Sequence, residues 1–207
     1  MQQSVYTIGH STHSQERFNE LLKLHGITAL CDVRTQPYSR NNPQFNRETL
    51  KEALRLAGIA YVYLGRELGA RSDDRCCYEN GKVQYDRLAA TSVFQDGLER
   101  VQEGMKTYRV AIMCAEKEPL DCHRTILVSR HLEKRGIDVQ HIHADGHLEA
   151  HADVVNRLMR QFNISDNDLF RSRDEIVADA YKQQEERIAY ANSDSAATEP
   201  EPATRVG

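Results

Sequence analysis

"ITALCDV", residues 27–33, is a nearly continuous apolar run of strand length with one acid, Asp32, near its end. A strand exposed on one face alternates apolar and polar residues, whereas a run like this one is apolar on both faces, as a buried parallel strand is. The flanking sequence agrees. Upstream, "SVYTIGHS" (4–11) reads as a strand stopping at Gly9. "SQERFNELLKLHG" (14–26) then reads as a helix, with Ser14 as N-cap, Phe18, Leu21 and Leu22 at helical spacing, and Gly26 as its stop. Downstream come a loop rich in Pro and Asn (34–46), the helix "RETLKEALRLAG" (47–58) and the strand "IAYVYLG" (59–65).

The polar stretch 66–85 reads as a functional loop or small insertion. A helix is expected over 86–104, a strand in "YRVAIMCA" (108–115), a helix in "DCHRTILVSRHLEKRG" (121–136) and a strand in "IDVQHIHA" (137–144). This alternation predicts an α/β fold: an open, mostly parallel Rossmann-like sheet flanked by helices. Residues 149–190 are polar and helical in pattern, which predicts a C-terminal helical appendage to an α/β domain spanning 1–148. Residues 191–207 lack the apolar groups needed to fold, which predicts a disordered tail.

Composition narrows the function. The chain has 207 residues, 40% apolar and 28% charged, with no run near the roughly 20 apolar residues of a membrane helix. Its first residues lack a basic-then-apolar leader, so a cytoplasmic location is expected. Five cysteines, an odd number, do not suggest a disulfide framework, and reduced thiols are expected. A net charge of −4 argues against wholesale electrostatic binding of DNA, though a local basic pocket for an anionic small molecule or a nucleic-acid end is compatible with it.

In an open parallel sheet, ligands bind beyond the carboxyl ends of the strands. There the sequence places Gly9, His10 and Ser11, then Asp32 and Arg34, Gly65, and Cys114 with Glu116. His141, His143 and Asp145 follow at the end of the fifth strand. Alternation puts Asp32 and Arg34 on one face, as a structural ion pair or a shared ligand site, and Arg34 with Arg40 could form a fork for a phosphate or carboxylate.

"MCAEKEPLDCHR" (113–124) is the densest chemistry in the chain. Cys122, expected at the start of a helix, with His123 and Arg124 beside it, suits a nucleophile or a phosphate cradle. Its spacing excludes the cysteine-x5-arginine loop of tyrosine phosphatases, being too long from Cys114 and too short from Cys122. A zinc site built on Cys114, Cys122 and His123 would need a remote fourth ligand, and C-x7-C is not a standard finger spacing. "HIHADGHLEAH" (141–151) offers His141, His143 and His147 as another candidate metal set, or as surface histidines on a polar connection. Cys31 reads as core, and the vicinal Cys76 and Cys77 as loop packing. No dinucleotide-binding glycine motif, Walker loop, H-E-x-x-H or G-x-S-x-G occurs. Tight binding of a nucleotide cofactor by one of those routes is therefore unsupported, and the sequence reveals neither a cofactor's identity nor the oligomeric state.

In order along the chain, "TIGHS", "DVRTQPYSRNNPQFN", "YLGRELGA", "CYENGKVQY", "MCAEKEPLDCHR" and "HIHADG" resemble the domain-of-unknown-function 488 family over roughly residues 5–148. The resemblance implies a Rossmann-like domain and a site drawn from Gly9, His10, Ser11, Asp32, Arg34, Pro37, Ser39 and Arg40. It also implies Gly65, Leu68, Gly69, Cys114, Glu116, Pro119, Cys122, His123 and Arg124. Ala70 departs from the family, which often carries a second glycine there.

The resulting expectation is an enzyme acting on a phosphorylated, nucleotide or nucleic-acid substrate. Arg34, Arg40 and Arg124 would bind the anion, with Gly9, Ser11, Ser39, Gly65, Gly69 and Cys114 lining the ligand site. His10, Asp32, Glu116, Cys122 and His123 would be the catalytic groups. The alternative is a metal- or thiol-based binding or sensing protein without catalysis.

Overall fold

The computed structural model describes residues 4–165 and 170–191. Its centre is a six-stranded sheet. Five strands are parallel: β1 (Ser4–Gly9), β2 (Ala29–Asp32), β3 (Ala60–Tyr63), and the two strands on either side of β1, Val110–Cys114 and Asp138–Ile142. A hairpin of β4 (Tyr78–Glu79) and β5 (Lys82–Val83) stands apart, which makes Val110–Cys114 β6 and Asp138–Ile142 β7. An antiparallel edge strand, β8 (Leu148–Ala150), completes the order β3-β2-β6-β1-β7-β8. The fold is therefore the open, mostly parallel α/β sheet that the apolar run at 27–33 predicts.

Helices cover both faces. On one, α1 (Gln15–Leu24) and α2 (Arg47–Leu56) bury Phe18, Leu21, Leu22, Leu50 and Leu54 against Tyr6, Ile8, Leu30 and Met113. The opposite face carries α3 (Tyr85–Ala89), α4 (Ser92–Met105), α5 (Arg130–Lys134), α6 (His151–Gln161) and α7 (Arg173–Ile188), packed on Val5, Cys31, Val110, Ile112 and Val139. Residues 151–161 and 173–188 of the expected C-terminal appendage thus share that core through Val154, Leu158, Ile176 and Tyr181. Beyond Ala191, which bridges to Lys82, the expected tail lies outside the described residues. Among the described residues, no helix is long and apolar enough to cross a membrane.

Three local departures have physical causes. The helix expected over 86–104 is broken at Thr91, whose hydroxyl caps α4 by accepting from the Phe94 N–H while donating to the Leu88 carbonyl. The 66–85 insertion contains the β4–β5 hairpin, because Asn80 and Gly81 both take the positive φ that a tight hairpin turn demands. The helix expected over 121–136 starts as a short 3-10 turn at Pro119–Asp121. It then runs as a π-helix over Arg124–Ser129 before becoming α5, and Ser129 Oγ donates to the Arg124 carbonyl at 2.7 Å.

Topology positions the chemistry. The chain leaves β1 and β2 for helices on one face and leaves β6, which lies between them, for the other. Crevices therefore open beside the carboxyl end of β6, where this sheet changes winding direction.

A buried polar chain ties the second face together. Thr7 Oγ1 lies 2.7 Å from His141 Nδ1, His141 Nε2 lies 2.9 Å from His151 Nδ1, and His151 Nε2 lies 2.9 Å from the Tyr181 hydroxyl. Burial lowers the His151 pKa from 6.5 to about 4, so the folded protein holds it neutral where the unfolded chain would take up a proton. That difference contributes stability above pH 6.5 and loses it as pH falls toward 4, on the order of 3 kcal/mol for this group alone. Urea unfolding from pH 7 to 4 should show ΔG falling through that window, with a shallower slope in His151→Asn.

Candidate functional site

Most of the strand-end residues singled out from the sequence meet at the carboxyl edge, in two groups on opposite faces of the sheet. The first is built around Asp32 and Arg34. Arg34 Nε and Nη2 donate to Asp32 Oδ1 and Oδ2 at 2.9 and 2.6 Å, a two-pronged pair with both residues buried. Nη2 also donates to the Phe45 carbonyl, and the Tyr61 hydroxyl donates to Asp32 Oδ2 at 2.8 Å. Arg34 Nη1 donates to His10 Nε2 at 3.1 Å. The Ser11 carbonyl can only accept, so His10 Nδ1, 2.9 Å away, carries the ring proton. His10 stacks on Phe45 with ring centres 4.3 Å apart. Burial, with Arg34 adding to it, lowers its pKa to about 4 and leaves the ring neutral near pH 7.

A cavity of about 380 Å3 opens over this group, lined by His10, Ser11, Arg34, Tyr38, Ser39 and Asn42 among others. A second, of about 820 Å3, lies beyond β3 and includes Gly65 in its wall. Gly65 is required by close approach, since a Cβ there would sit 2.0 Å from the Arg34 carbonyl oxygen. Gly69 is packed in turn onto Gly65 and Thr35. Arg40 is exposed and lines neither cavity, so the fork with Arg34 is not formed.

The second group is the cysteine cluster on the other face. Cys114 ends β6 beside Gly9 of β1, and the turn after it returns Cys122 and His123 to the same point. Cys114, Cys122 and His123 are buried, and Glu116, an exposed residue overall, folds its carboxyl group inward. His123 Nδ1 lies 3.6 Å from Cys114 Sγ and 3.9 Å from Cys122 Sγ, while Cys122 Sγ lies 2.9 Å from Glu116 Oε2.

Charges inside the cluster oppose one another. Burial pushes the Cys122 thiol up, but Cys114, Arg124 and His123 together outweigh it and hold Cys122 well below the ordinary thiol range. Burial and the Cys122 sulfur raise the Cys114 thiol and the Glu116 carboxyl. The proton affinities of Cys122 and Glu116 are thus drawn toward one another across the 2.9 Å contact.

Arg124 is fully buried, and its guanidinium is committed to the backbone: Nη1 donates to the Glu116 carbonyl at 2.7 Å and Nη2 to the Lys117 carbonyl at 3.2 Å. It is a brace for the turn rather than a hand open to a phosphate. Cys122 does stand at the start of the helical segment, with its carbonyl accepting from the Thr125 and Ile126 N–H groups.

The sequence anchors of both groups, Asp32 and Arg34 with Cys114, Glu116, Cys122, His123 and Arg124, lie within residues 14–131, which match a family model described as "Domain of unknown function DUF488". The chain belongs to the DUF488 family. Gly9, His10 and Ser11 fall just before the matched span of the DUF488 domain, and the three other histidines, His141, His143 and His147, just after it. No curated protein matches the sequence. Among solved structures, a "Putative phosphatase (DUF442)" from Shewanella putrefaciens CN-32 aligns over 86% of each chain at 10% identity and a TM-score of 0.38, a likeness too loose to carry an argument.

Those three histidines do not share a point. His141 is spent on Thr7 and His151, His143 pairs with Glu149 at 2.7 Å, and His147 pairs with Asp145 while stacking on His143. Among the described residues, the side chains that could together hold a metal ion are Cys114, Glu116, Cys122 and His123.

Sequence reasoning missed Tyr61 and Phe45, which complete the Asp32–Arg34–His10 network. Tyr61 carried a signal, because it lies on the strand next in sequence and its ring could reach a buried acid. The Phe45 carbonyl carried none.

Two outcomes follow from this packing. All five cysteines are free but only Cys76 is exposed, so native alkylation read by mass spectrometry should add one label, at Cys76, and spare Cys31, Cys77, Cys114 and Cys122 until the chain unfolds. A Cβ at Gly9 would lie 1.9 Å from the Glu116 carbonyl oxygen, so Gly9→Ala should cost about 2–4 kcal/mol in urea unfolding by pushing that carbonyl off Arg124.

Proposed function

We propose that this DUF488 protein is an enzyme acting on a small phosphorylated molecule, bound in the cavity of about 380 Å3 at the carboxyl ends of β1 and β2. The observation that carries the reading is Arg34, a buried cation in the wall of that cavity. Four of its five N–H groups have assigned acceptors, which leaves one on Nη1 for an anion. Ser11, Ser39 and Asn42, in the same wall, supply further polar groups for phosphate oxygens. Arg124 and Arg40 have no part in binding, the first being held by carbonyls and the second lying outside the wall.

His10 is the proton carrier in this reading. Arg34 occupies its Nε2 lone pair when no anion is bound. A phosphate that draws Nη1 toward itself frees that lone pair, and its negative charge raises the affinity of the ring for a proton. Binding and activation of the base are then one event.

Titration with inorganic phosphate and with nucleoside monophosphates, read as a thermal shift, tests this. A ligand at 100 times its Kd stabilises by about 2.7 kcal/mol. Ser39→Ala should weaken the shift, and the charge-balanced pair Asp32→Asn with Arg34→Gln should abolish it. A wild-type protein that shifts with no phosphate ester at millimolar concentration would remove the proposal.

A further inference from the structure

The geometry points to a second site, independent of the phosphate cavity: a centre for a thiophilic divalent cation of the zinc class, held by Cys114 Sγ, Cys122 Sγ, His123 Nδ1 and a Glu116 carboxylate oxygen. These four atoms all lie within 4.8 Å of one another. Ligands on one tetrahedral zinc, with bonds of about 2.3 Å to sulfur and 2.0–2.2 Å to nitrogen or oxygen, stand about 3.5 Å apart for a sulfur–nitrogen or sulfur–oxygen edge. The two sulfur–nitrogen edges measure 3.6 and 3.9 Å. The Cys122–Glu116 edge, at 2.9 Å, has to open by about half an ångström, and Glu116 is the exposed and freest member of the set.

The surroundings match what a metal centre requires. The Val33 carbonyl, 3.2 Å from His123 Nε2, can only accept, so Nε2 carries the proton and Nδ1 turns its lone pair toward both sulfurs. The Arg124 backbone N–H donates to Cys122 Sγ at 3.4 Å, and the Arg124 side chain fixes the carbonyls of Glu116 itself and of Lys117. The buried guanidinium also offsets part of the surplus negative charge that two thiolates and a carboxylate bring to a divalent ion. A π-helical turn begins at once after His123, a distortion frequent at functional sites.

The donor set chooses the cation. Two thiolates and an imidazole favour zinc over calcium or magnesium, which take oxygen ligands. Three ligands are buried, whereas the fourth belongs to an exposed residue whose carboxyl group turns inward. That pattern, three firm ligands and one replaceable, is the arrangement of a site that can exchange a ligand, and Glu116 is the position at which a water or a substrate atom would enter.

The test is metal content and a cobalt spectrum on the full chain. Protein purified without chelator and dialysed should keep about one zinc per chain. Reconstitution with Co2+ should give the intense visible bands of a tetrahedral site and near-ultraviolet sulfur-to-cobalt absorption. Cys114→Ser and His123→Ala should lower zinc affinity more than about 100-fold, because each removes a direct ligand. Cys76→Ser, at the exposed cysteine, should change neither readout. If a ligand variant fails to fold, the wild type still decides: a chelator should lower its thermal midpoint, and zinc should restore it. Reduced, folded wild-type protein that takes up neither zinc nor cobalt would overturn the centre. Ser39→Ala, in the wall of the phosphate cavity and outside the cluster, should leave metal content unchanged, which keeps the two proposals separately testable.

Discussion

A buried guanidinium without a carboxylate partner holds the working edge of this protein together. Arg124 has no exposed surface, and its side-chain bonds go to the carbonyls of Glu116 and Lys117. Burying a cation in this way costs several kcal/mol unless negative charge stands nearby. Cys122 lies beside it, and Arg124 is among the groups that hold that thiol below its ordinary range. The guanidinium and the cysteine cluster therefore stabilise one another, and the turn between β6 and the π-helix follows from that mutual need. Gly9 enters the same constraint, because only a residue without a side chain leaves room for the Glu116 carbonyl that Arg124 holds.

The two clusters share an edge yet face opposite sides of the sheet, and the backbone of β2 joins them. Asp32 and Arg34 look toward α1 and α2, while the carbonyl of Val33, the residue between them, accepts from His123 on the far side. Strand alternation accounts for the side chains, Val33 packing in the core of the opposite face, while its carbonyl lies just past the end of β2. Any displacement of the end of β2 moves both clusters together.

Much of this was legible in the sequence. The apolar run at 27–33 carried the parallel sheet, Ser14 carried the start of α1, and the crowding of polar residues after each strand marked the carboxyl edge where the two groups lie. Glu116, two residues after Cys114, was visible as chemistry but not as the neighbour of Cys122, because that contact depends on a turn whose path is set by tertiary packing. The division into two faces was implicit in alternation, but it needed the strand order, and strand order is a property of the whole chain. The commitment of Arg124 to carbonyls could not be read at all, because a sequence shows a cation and not what it points at. Thr91 was legible in principle, as a capping residue inside an apparently continuous helix.

The π-helical turn at Arg124–Ser129 has a consequence of its own. A π turn holds one residue more than the α-helix would, so the segment can be regarded as a regular helix carrying a single inserted residue. Deleting one residue within it would restore ordinary helical bonding and leave α5 seated on the sheet as before. Every side chain ahead of the deletion would then rotate by about 100° relative to α5. Arg124, His123 and Cys122 lie ahead of it. The irregularity thus works as an indexing step, setting the cysteine cluster in register with a helix whose own seat is fixed by the core.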